Sequence, residues 1–292
     1  MRTDGQAELM AYVRLAKPGI ISLLVFTALA SAFVASYPRI EPLGLLWLSL
    51  AGGLSSGGCM AINDYIDRER DREVPWLQKR RPLAAGLVAP RRALGFGLAL
   101  LLAGLTLAFL FLPLASALFI LGGALIYLPL YTLYLKPRHW SNIVIGGAAG
   151  SMASLAGWAL FSPVDYRAIS LAALVFLWTP GHFWSLSLAF RGEYARAGLP
   201  MLTDLVPERT AAIVVYAQIL LTAAASLLLF FWWTSPVYLV PAALTGALVS
   251  LKARAILRDD SRHARLTAFK YATLHLYALW LFLLLDKVAN LI

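Results

Sequence analysis

The chain is poor in charge and almost without cysteine. Only 14% of its 292 residues are Asp, Glu, Lys or Arg, against 60% hydrophobic residues, whereas a soluble domain carries about a quarter charged residues. An ordinary soluble fold is excluded on that ground. The single cysteine, Cys59, rules out an internal disulfide, and its place inside an apolar run makes packing its expected use. Acids are scarce as well, 15 against 25 basic residues, for a net charge of +10. Strand-like alternation is missing from the apolar runs, which excludes a β-barrel.

What the chain has in quantity is apolar runs of about 20 residues, each able to form about 30 Å of helix. Nine spans are expected, roughly 18–36, 42–62, 93–112, 114–135, 142–161, 168–190, 210–232, 236–252 and 271–289. The predicted fold is an all-α polytopic membrane protein. If loops alternate between the two sides, 22 of the 25 Lys and Arg fall on one side, leaving only Arg39, Arg167 and Lys287 on the other. By the positive-inside rule the N-terminus is inside and the C-terminus outside. The basic excess then needs no nucleic acid to explain it. Residues 1–17 read as an amphipathic segment on the inner surface, too short and too mixed in charge for a transit peptide. The first run lacks a small-residue cleavage site and is expected to remain as a helix. Gly52, Gly53, Ser56 and Gly57 in the second run suit close helix contact.

The second run passes into Asn63-Asp64-Tyr-Ile-Asp67-Arg-Glu-Arg-Asp71. On a continuing helix, Asn63, Asp67 and Asp71 share one stripe with Asp64 beside them. Carboxylates at the edge of the hydrocarbon, unfavourable by about 2.5–3.5 kcal/mol each when unpaired, call for a cation. Their hard oxygens suit Mg²⁺, which binds a few carboxylates together with phosphate oxygens. The other reading is a solvated helix end, with the acids paired to Arg68, Arg70 and Arg72. Lys17 either snorkels to lipid head groups or reaches a diphosphate. The run Lys79, Arg80, Arg81 fixes topology or caps a phosphate. Lys136 and Arg138 return to the same face, and Asn142 caps the next helix or touches a ligand.

Pro180 is expected to kink the sixth span and free backbone groups beside a cavity. His182 next to it is either functional or simply hydrogen-bonded to a neighbouring helix. Glu193 follows the sixth span as the acidic stripe follows the second. That correspondence suggests a single domain over 1–292 made of two four-helix repeats, 18–135 and 142–252, plus the last helix 271–289. The loop holding Asp259, Asp260, Arg262, His263 and Arg265 reads as solvated surface. Asp286 is expected at the outer head groups, and His275 nearer the inner end, lining a cavity.

These residues resemble the UbiA-type intramembrane prenyltransferases, and within them the haem-modifying branch. Asn63-x-x-x-Asp67-x-x-x-Asp71 and Arg81-Pro82-Leu83-x-x-Gly86 are similar to the superfamily's first acidic motif and its sequel. Asn142-Ile-Val-Ile-Gly-Gly-Ala-Ala-Gly150 with Gly157-Trp158, Thr179-Pro180-x-His182-Phe183-Trp184, and Glu193-Tyr194-x-x-Ala197-Gly198-x-Pro200-Met201-Leu202 resemble the haem branch. Glu193 stands where most members carry Asp, and Gly181 where they carry proline. The quinone-type second acid is Ala197 here, with Asp204 as its candidate substitute.

The resemblance implies transfer of farnesyl from farnesyl diphosphate to the 2-vinyl group of protohaem IX, giving haem O. It implies Asp67, Asp71 and Glu193 as catalytic, and Asn63, Asp64, Asp67, Asp71 and Glu193 around Mg²⁺. Lys17, Arg80, Arg81 and Lys136 would bind diphosphate, and His182 the haem. It also implies a cell-membrane location with the site at the cytoplasmic face, and a downstream haem A synthase or terminal oxidase assembly as partner. A quinone or other aromatic prenyltransferase is the alternative within the superfamily. A secondary transporter, which also combines repeats, a proline-broken helix and intramembrane polar groups, is the alternative outside it.

Overall fold

The computed structural model describes residues 4–290; the first three residues of the expected surface segment 1–17 lie outside them. Among the described residues there is no strand. Helix α1 (Asp4–Ala16) is followed by α2 (Pro18–Ser36), α3 (Pro42–Arg72), the short α4 (Pro75–Arg80), α5 (Pro90–Phe111) and α6 (Leu114–Leu125). The last continues as a π-helix over Ile126–Leu135. Then come α7 (Asn142–Trp158), α8 (Tyr166–Ala189), the short α9 (Glu193–Arg196) and α10 (Leu202–Leu205), α11 (Glu208–Trp232), α12 (Pro236–Ala253) and α13 (Arg262–Ala289). Proline opens α2, α3, α4, α5 and α12, where its missing N–H removes no helical bond.

Eight of the described helices are long and apolar enough to cross a membrane. The fifth expected span, α7, has 17 residues, about 25 Å of helix, and is enclosed by α2, α6 and α8. Successive long helices run in opposite directions. At one end Lys17 meets Asn63, Asn142 meets the Pro200 carbonyl and Arg265 meets the Leu188 carbonyl. At the other, Trp47 stacks on Phe111, Ser162 bonds the Ala35 carbonyl and Trp233 bonds Ser170. Outward faces carry exposed Leu102, Leu110, Phe231 and Leu244, the surface an acyl-chain solvent accepts. The close α3 to α5 seam is made by Gly58, Gly97 and Gly104; a Cβ on Gly97 would lie 2.9 Å from Ile62 Cγ1.

Several details differ from the sequence expectation. A methyl group added at Gly52 would meet nothing within 4 Å, and Gly52 lines a cavity with Ser56, whereas one on Gly57 would lie 3.2 Å from Ile21 Cδ1; Gly57 is thus a contact glycine as expected, and the tightest of the stretch is Gly58. Helix α13 starts at Arg262, well before 271, because Ser261 caps it and Arg265 is buried, paired with Glu208. The loop 259–265 is therefore only partly solvated surface: Arg262 also covers the Phe190 ring at 3.9 Å. Asp286 does not reach outward. It is buried and accepts from the backbone N–H groups of Ser235 (3.0 Å) and Tyr238 (3.2 Å), capping α12. His275 lies between α13 and α12, 3.2 Å from Thr245 Oγ1, and is absent from the cavity lining.

Candidate active site

Helix α3 continues unbroken to Arg72, so the i, i+4, i+8 stripe forms as the period requires. Asn63, Asp64, Asp67 and Asp71 are all buried, each 1–2% exposed. Solvated acids paired to Arg68, Arg70 and Arg72 are thus not what occurs: Arg68 and Arg72 pair with Glu69 instead. The counter-ions come from three other segments. Lys17 Nζ lies 2.7 Å from Asp64 Oδ1 and donates to Asn63 Oδ1 at 3.1 Å. Arg81 Nη1 lies 2.5 Å from Asp71 Oδ2, 3.1 Å from Asp64 Oδ1 and 3.7 Å from Asp67 Oδ2. Lys136 pairs with Asp67, whose Oδ2 also accepts from Asn63 Nδ2 at 2.8 Å.

Each cation is held in place by local structure. Lys17 sits between α1 and α2 with φ 54°, left-handed backbone that only this non-glycine residue adopts among the described residues. The cost is about 1–2 kcal/mol, and such strain persists where surrounding contacts enforce it. Burial first, then the Arg81 charge, pushes the Lys17 ammonium below its ordinary 10.5 against the pull of Asp64. Arg81 ends the turn after α4, which is pinned by buried Val74 and Leu77. Burial works against the Arg81 charge, but Asp64, Asp71 and Asp67 together hold its pKa above the ordinary value. Lys136 ends the π-helix, with its N–H bonded to the Tyr131 carbonyl at 2.8 Å. Pro129 lies inside that helix. The wide turn also aims Thr132 at Asn63, 3.3 Å from Nδ2. The π-helix and Thr132 were not read from the sequence; a proline and a threonine inside one apolar run were the only signal.

Glu193 opens α9 after Gly192, whose φ of 80° makes the turn. This loop lies at the same end as the acidic stripe: Trp76 stacks on Phe190 at 4.1 Å and meets Tyr194 edge-on. Glu193 Oε2 is buried without a hydrogen-bond partner. Asp204 is used by the turn, accepting from the Gly192 N–H at 2.8 Å; burial raises its pKa against that bond. Asn142 is buried and donates to the carbonyls of His139 and Pro200, so it ties two loops together instead of capping α7. Arg138 is exposed and bonds the Leu133 and Tyr134 carbonyls. Arg80 is exposed over the Trp76 ring, 5.8 Å from its centroid, and is not brought to the carboxylates.

Beside the cluster lies a cavity of 520 Å³, lined by Gly19, Met60, Tyr127, Tyr131, Thr179 and His182 among others, with no Asp, Glu, Lys or Arg on its wall. Helix α8 runs through Pro180, and the Leu177 carbonyl three residues earlier accepts from Gln218 and Thr222 of α11 at 2.8 and 3.0 Å. A neighbouring helix thus takes up a backbone group near the proline, as a bilayer demands. His182 is stacked between Trp178 (4.1 Å) and Phe269 (4.3 Å).

Asp64 and Asp67 offer hard carboxylate oxygens of the kind that suit a divalent cation. Asp64 Oδ2, Asp67 Oδ1 and Glu193 Oε2 are buried oxygens without hydrogen-bond partners. Among the described residues no three of His, Cys, Asp or Glu are grouped so as to hold a metal by themselves. Three buried carboxylates face three cations, so the protein alone carries little net charge here to attract one. Magnesium that arrives with phosphate oxygens and keeps its waters needs only one or two carboxylates, which this seat offers.

A seat of buried acids and cations thus lies at one end of a helical membrane bundle, beside a cavity with no charged residue on its wall. Residues 24–282 match the UbiA prenyltransferase family, and the chain belongs to it. Solved structures agree in fold. A digeranylgeranylglyceryl phosphate synthase superposes with TM-score 0.76 at 18% identity, over 97% of this chain and 99% of that one. A UbiA homologue from Archaeoglobus fulgidus bound to DMAPP and Mg²⁺ gives 0.66 at 17% identity, over 93% and 98%. Relatives closer in sequence are narrower in kind: the chain is 36% identical to the protoheme IX farnesyltransferase of Metallosphaera sedula over 99% of its length and 100% of that protein. It is 37% identical to that of Azotobacter vinelandii, over 94% and 92%.

Proposed function

We infer that the protein transfers the farnesyl group of farnesyl diphosphate to the 2-vinyl group of protohaem IX, giving haem O and diphosphate. The observation that carries this reading is the seat of buried carboxylates and cations beside a cavity whose wall bears no charge. The relatives' shared name supports the choice of donor and acceptor.

Lys17, Arg81 and Lys136 bind the diphosphate, with exposed Arg80 as the outermost member of the clamp. As the allylic C–O bond breaks, negative charge grows on the leaving oxygens, and cations already fixed in a water-poor site stabilise it without reorganising solvent. Asn63, Asp64, Asp67, Asp71 and Glu193 would hold Mg²⁺, which when bound neutralises diphosphate oxygens. Asp67, Asp71 and Glu193 are the acids on which turnover depends. The apolar cavity holds the farnesyl chain and keeps water from the allylic cation until it meets the vinyl group. The vinyl electron pair forms the new C–C bond to farnesyl C1. Water then adds to the carbon left electron-deficient, giving the hydroxyl and releasing one proton. His182 contacts the porphyrin.

The protein is placed in the cell membrane as a multi-pass chain, N-terminus inside, C-terminus outside, with the site at the cytoplasmic face; 22 of 25 basic residues on that side support this. The chain is one domain of two four-helix repeats, α2 to α6 and α7 to α12, with α13 added. Support comes from the acidic ends that follow the second helix of each unit. Haem O passes to a haem A synthase or to terminal oxidase assembly.

The test is purified protein in detergent with farnesyl diphosphate and haem b, with and without Mg²⁺, and porphyrin extracted for mass spectrometry. The expected product is heavier by one farnesyl and one hydroxyl group, and forms only with the metal. Unchanged haem beside a prenylated quinone or other aromatic acceptor refutes the reading.

A further inference from the structure

Building on the farnesyl-to-haem reading above, we infer that His182 binds the acceptor as an axial ligand of its iron, through Nε2 of a neutral imidazole, and not as an anchor for a propionate. The tautomer follows from the hydrogen bonds around it. Thr273 Oγ1 donates to the Phe269 carbonyl at 3.0 Å, so its hydrogen is spent and toward His182 Nδ1, 3.2 Å away, it acts as acceptor. Nδ1 then carries the proton and Nε2 the lone pair. No hydrogen bond engages Nε2 among the described residues, and the ring forms part of the cavity wall. Stacking between Trp178 and Phe269 fixes the ring plane. A hydroxyl that orients the second nitrogen of a ligating histidine is the arrangement metal sites use.

The chemistry of the wall excludes the other role. A propionate requires a cation or a charged imidazole, and the lining has no Lys or Arg, nor does His182 meet a carboxylate that would keep it charged. The propionates therefore sit outside this cavity. The other ligand types on the wall are less suited: Met60 Sδ accepts from Tyr127 Oη at 3.3 Å, Cys59 is buried, and Met152 lies against Gly122 and Gly123.

The experiment uses full-length protein in detergent titrated with ferric haem b and, separately, with metal-free protoporphyrin IX. The wild type is expected to give the absorption and resonance Raman signature of histidine-ligated iron. His182→Ala should lose that signature and bind haem b about tenfold or more weaker, at the level second-coordination changes reach at least, while protoporphyrin IX affinity is unchanged. Imidazole should restore the signature in His182→Gly, and after reduction to the ferrous complex Thr273→Val should shift the iron–histidine stretching band without loss of folded protein. An unchanged signature in His182→Ala, or equal loss of both porphyrins, overturns the ligand assignment. Wild-type protein that farnesylates haem while either of these results holds leaves the function standing and removes only the ligand. Wild-type protein that neither binds nor modifies haem removes the function itself.

Discussion

Replacing Asp67 by Asn separates the chemical role of the carboxylate from its role in holding the bundle together. Asp67 is 1% exposed, and Lys136, 5% exposed, has it as its sole ion-pair partner among the described residues. Taking the charge from Asp67 leaves a buried ammonium uncompensated, which costs about 3–5 kcal/mol when one partner of a buried pair is removed. At roughly 2–3 °C per kcal/mol for a chain this long, Tm falls by about 6–15 °C. Farnesyl transfer is expected to drop by about 10²- to 10³-fold or more, the scale of losing one preorganised electrostatic contact. The double variant Asp67→Asn, Lys136→Met removes both charges, and its Tm should return to within about 3 °C of wild type, about 1 kcal/mol, while turnover stays lost. Thermal unfolding in detergent and mass spectrometry of extracted porphyrin read the two effects. Turnover of Asp67→Asn near that of wild type refutes the metal and diphosphate assignment. A double variant as unstable as the single one refutes the pairing argument.

Three further outcomes follow from the same geometry. Lys17 is held below 10.5, so raising the pH discharges it earlier than a free lysine: the anion clamp weakens and initial rates fall along an alkaline limb below that value. Between the folded and unfolded pKa the native state binds fewer protons, so the Lys17 contribution to stability rises toward pH 10.5 while activity falls. Lys17→Arg stays charged and should move the limb upward; an unmoved limb assigns it elsewhere. Arg81→Ala removes the guanidinium shared by three carboxylates and should abolish transfer, whereas Arg80→Ala, the exposed outermost clamp member over Trp76, should slow it only by about two- to fivefold; equal effects on initial rates contradict the site as described. A methyl on Gly157 would overlap the Ala28 carbonyl, so Gly157→Ala should destabilise by about 1–3 kcal/mol or more. Gly52→Ala, with open space around it, should leave the unfolding temperature unchanged.

Local properties were legible from the residues. The length and apolarity of the runs and the 3.6-residue stripe of Asn63, Asp67 and Asp71 depend on near neighbours in the chain, and the helices form accordingly. Lys17, Arg81 and Lys136 were recognised by sign and nearness to a membrane edge. Their pairing with Asp64, Asp71 and Asp67 was not, because it joins segments far apart in sequence. Arg265 and Asp286 were misread for the same reason: composition makes a charge look solvated until a Glu208 or an α12 N-terminus is brought against it.

By itself, then, the sequence determined that this is a helical membrane protein with an acidic stripe at a helix end and basic loops on one side. Hydrophobic length, helical period and charge asymmetry are each properties of a short stretch. Only the tertiary structure decided which cation answers which carboxylate, that a π-helix turns Thr132 and Lys136 onto the stripe, and that His182 lines a cavity without charged residues on its wall. Buried polar groups must find partners wherever the packing puts them, and that depends on how helices distant in the chain meet.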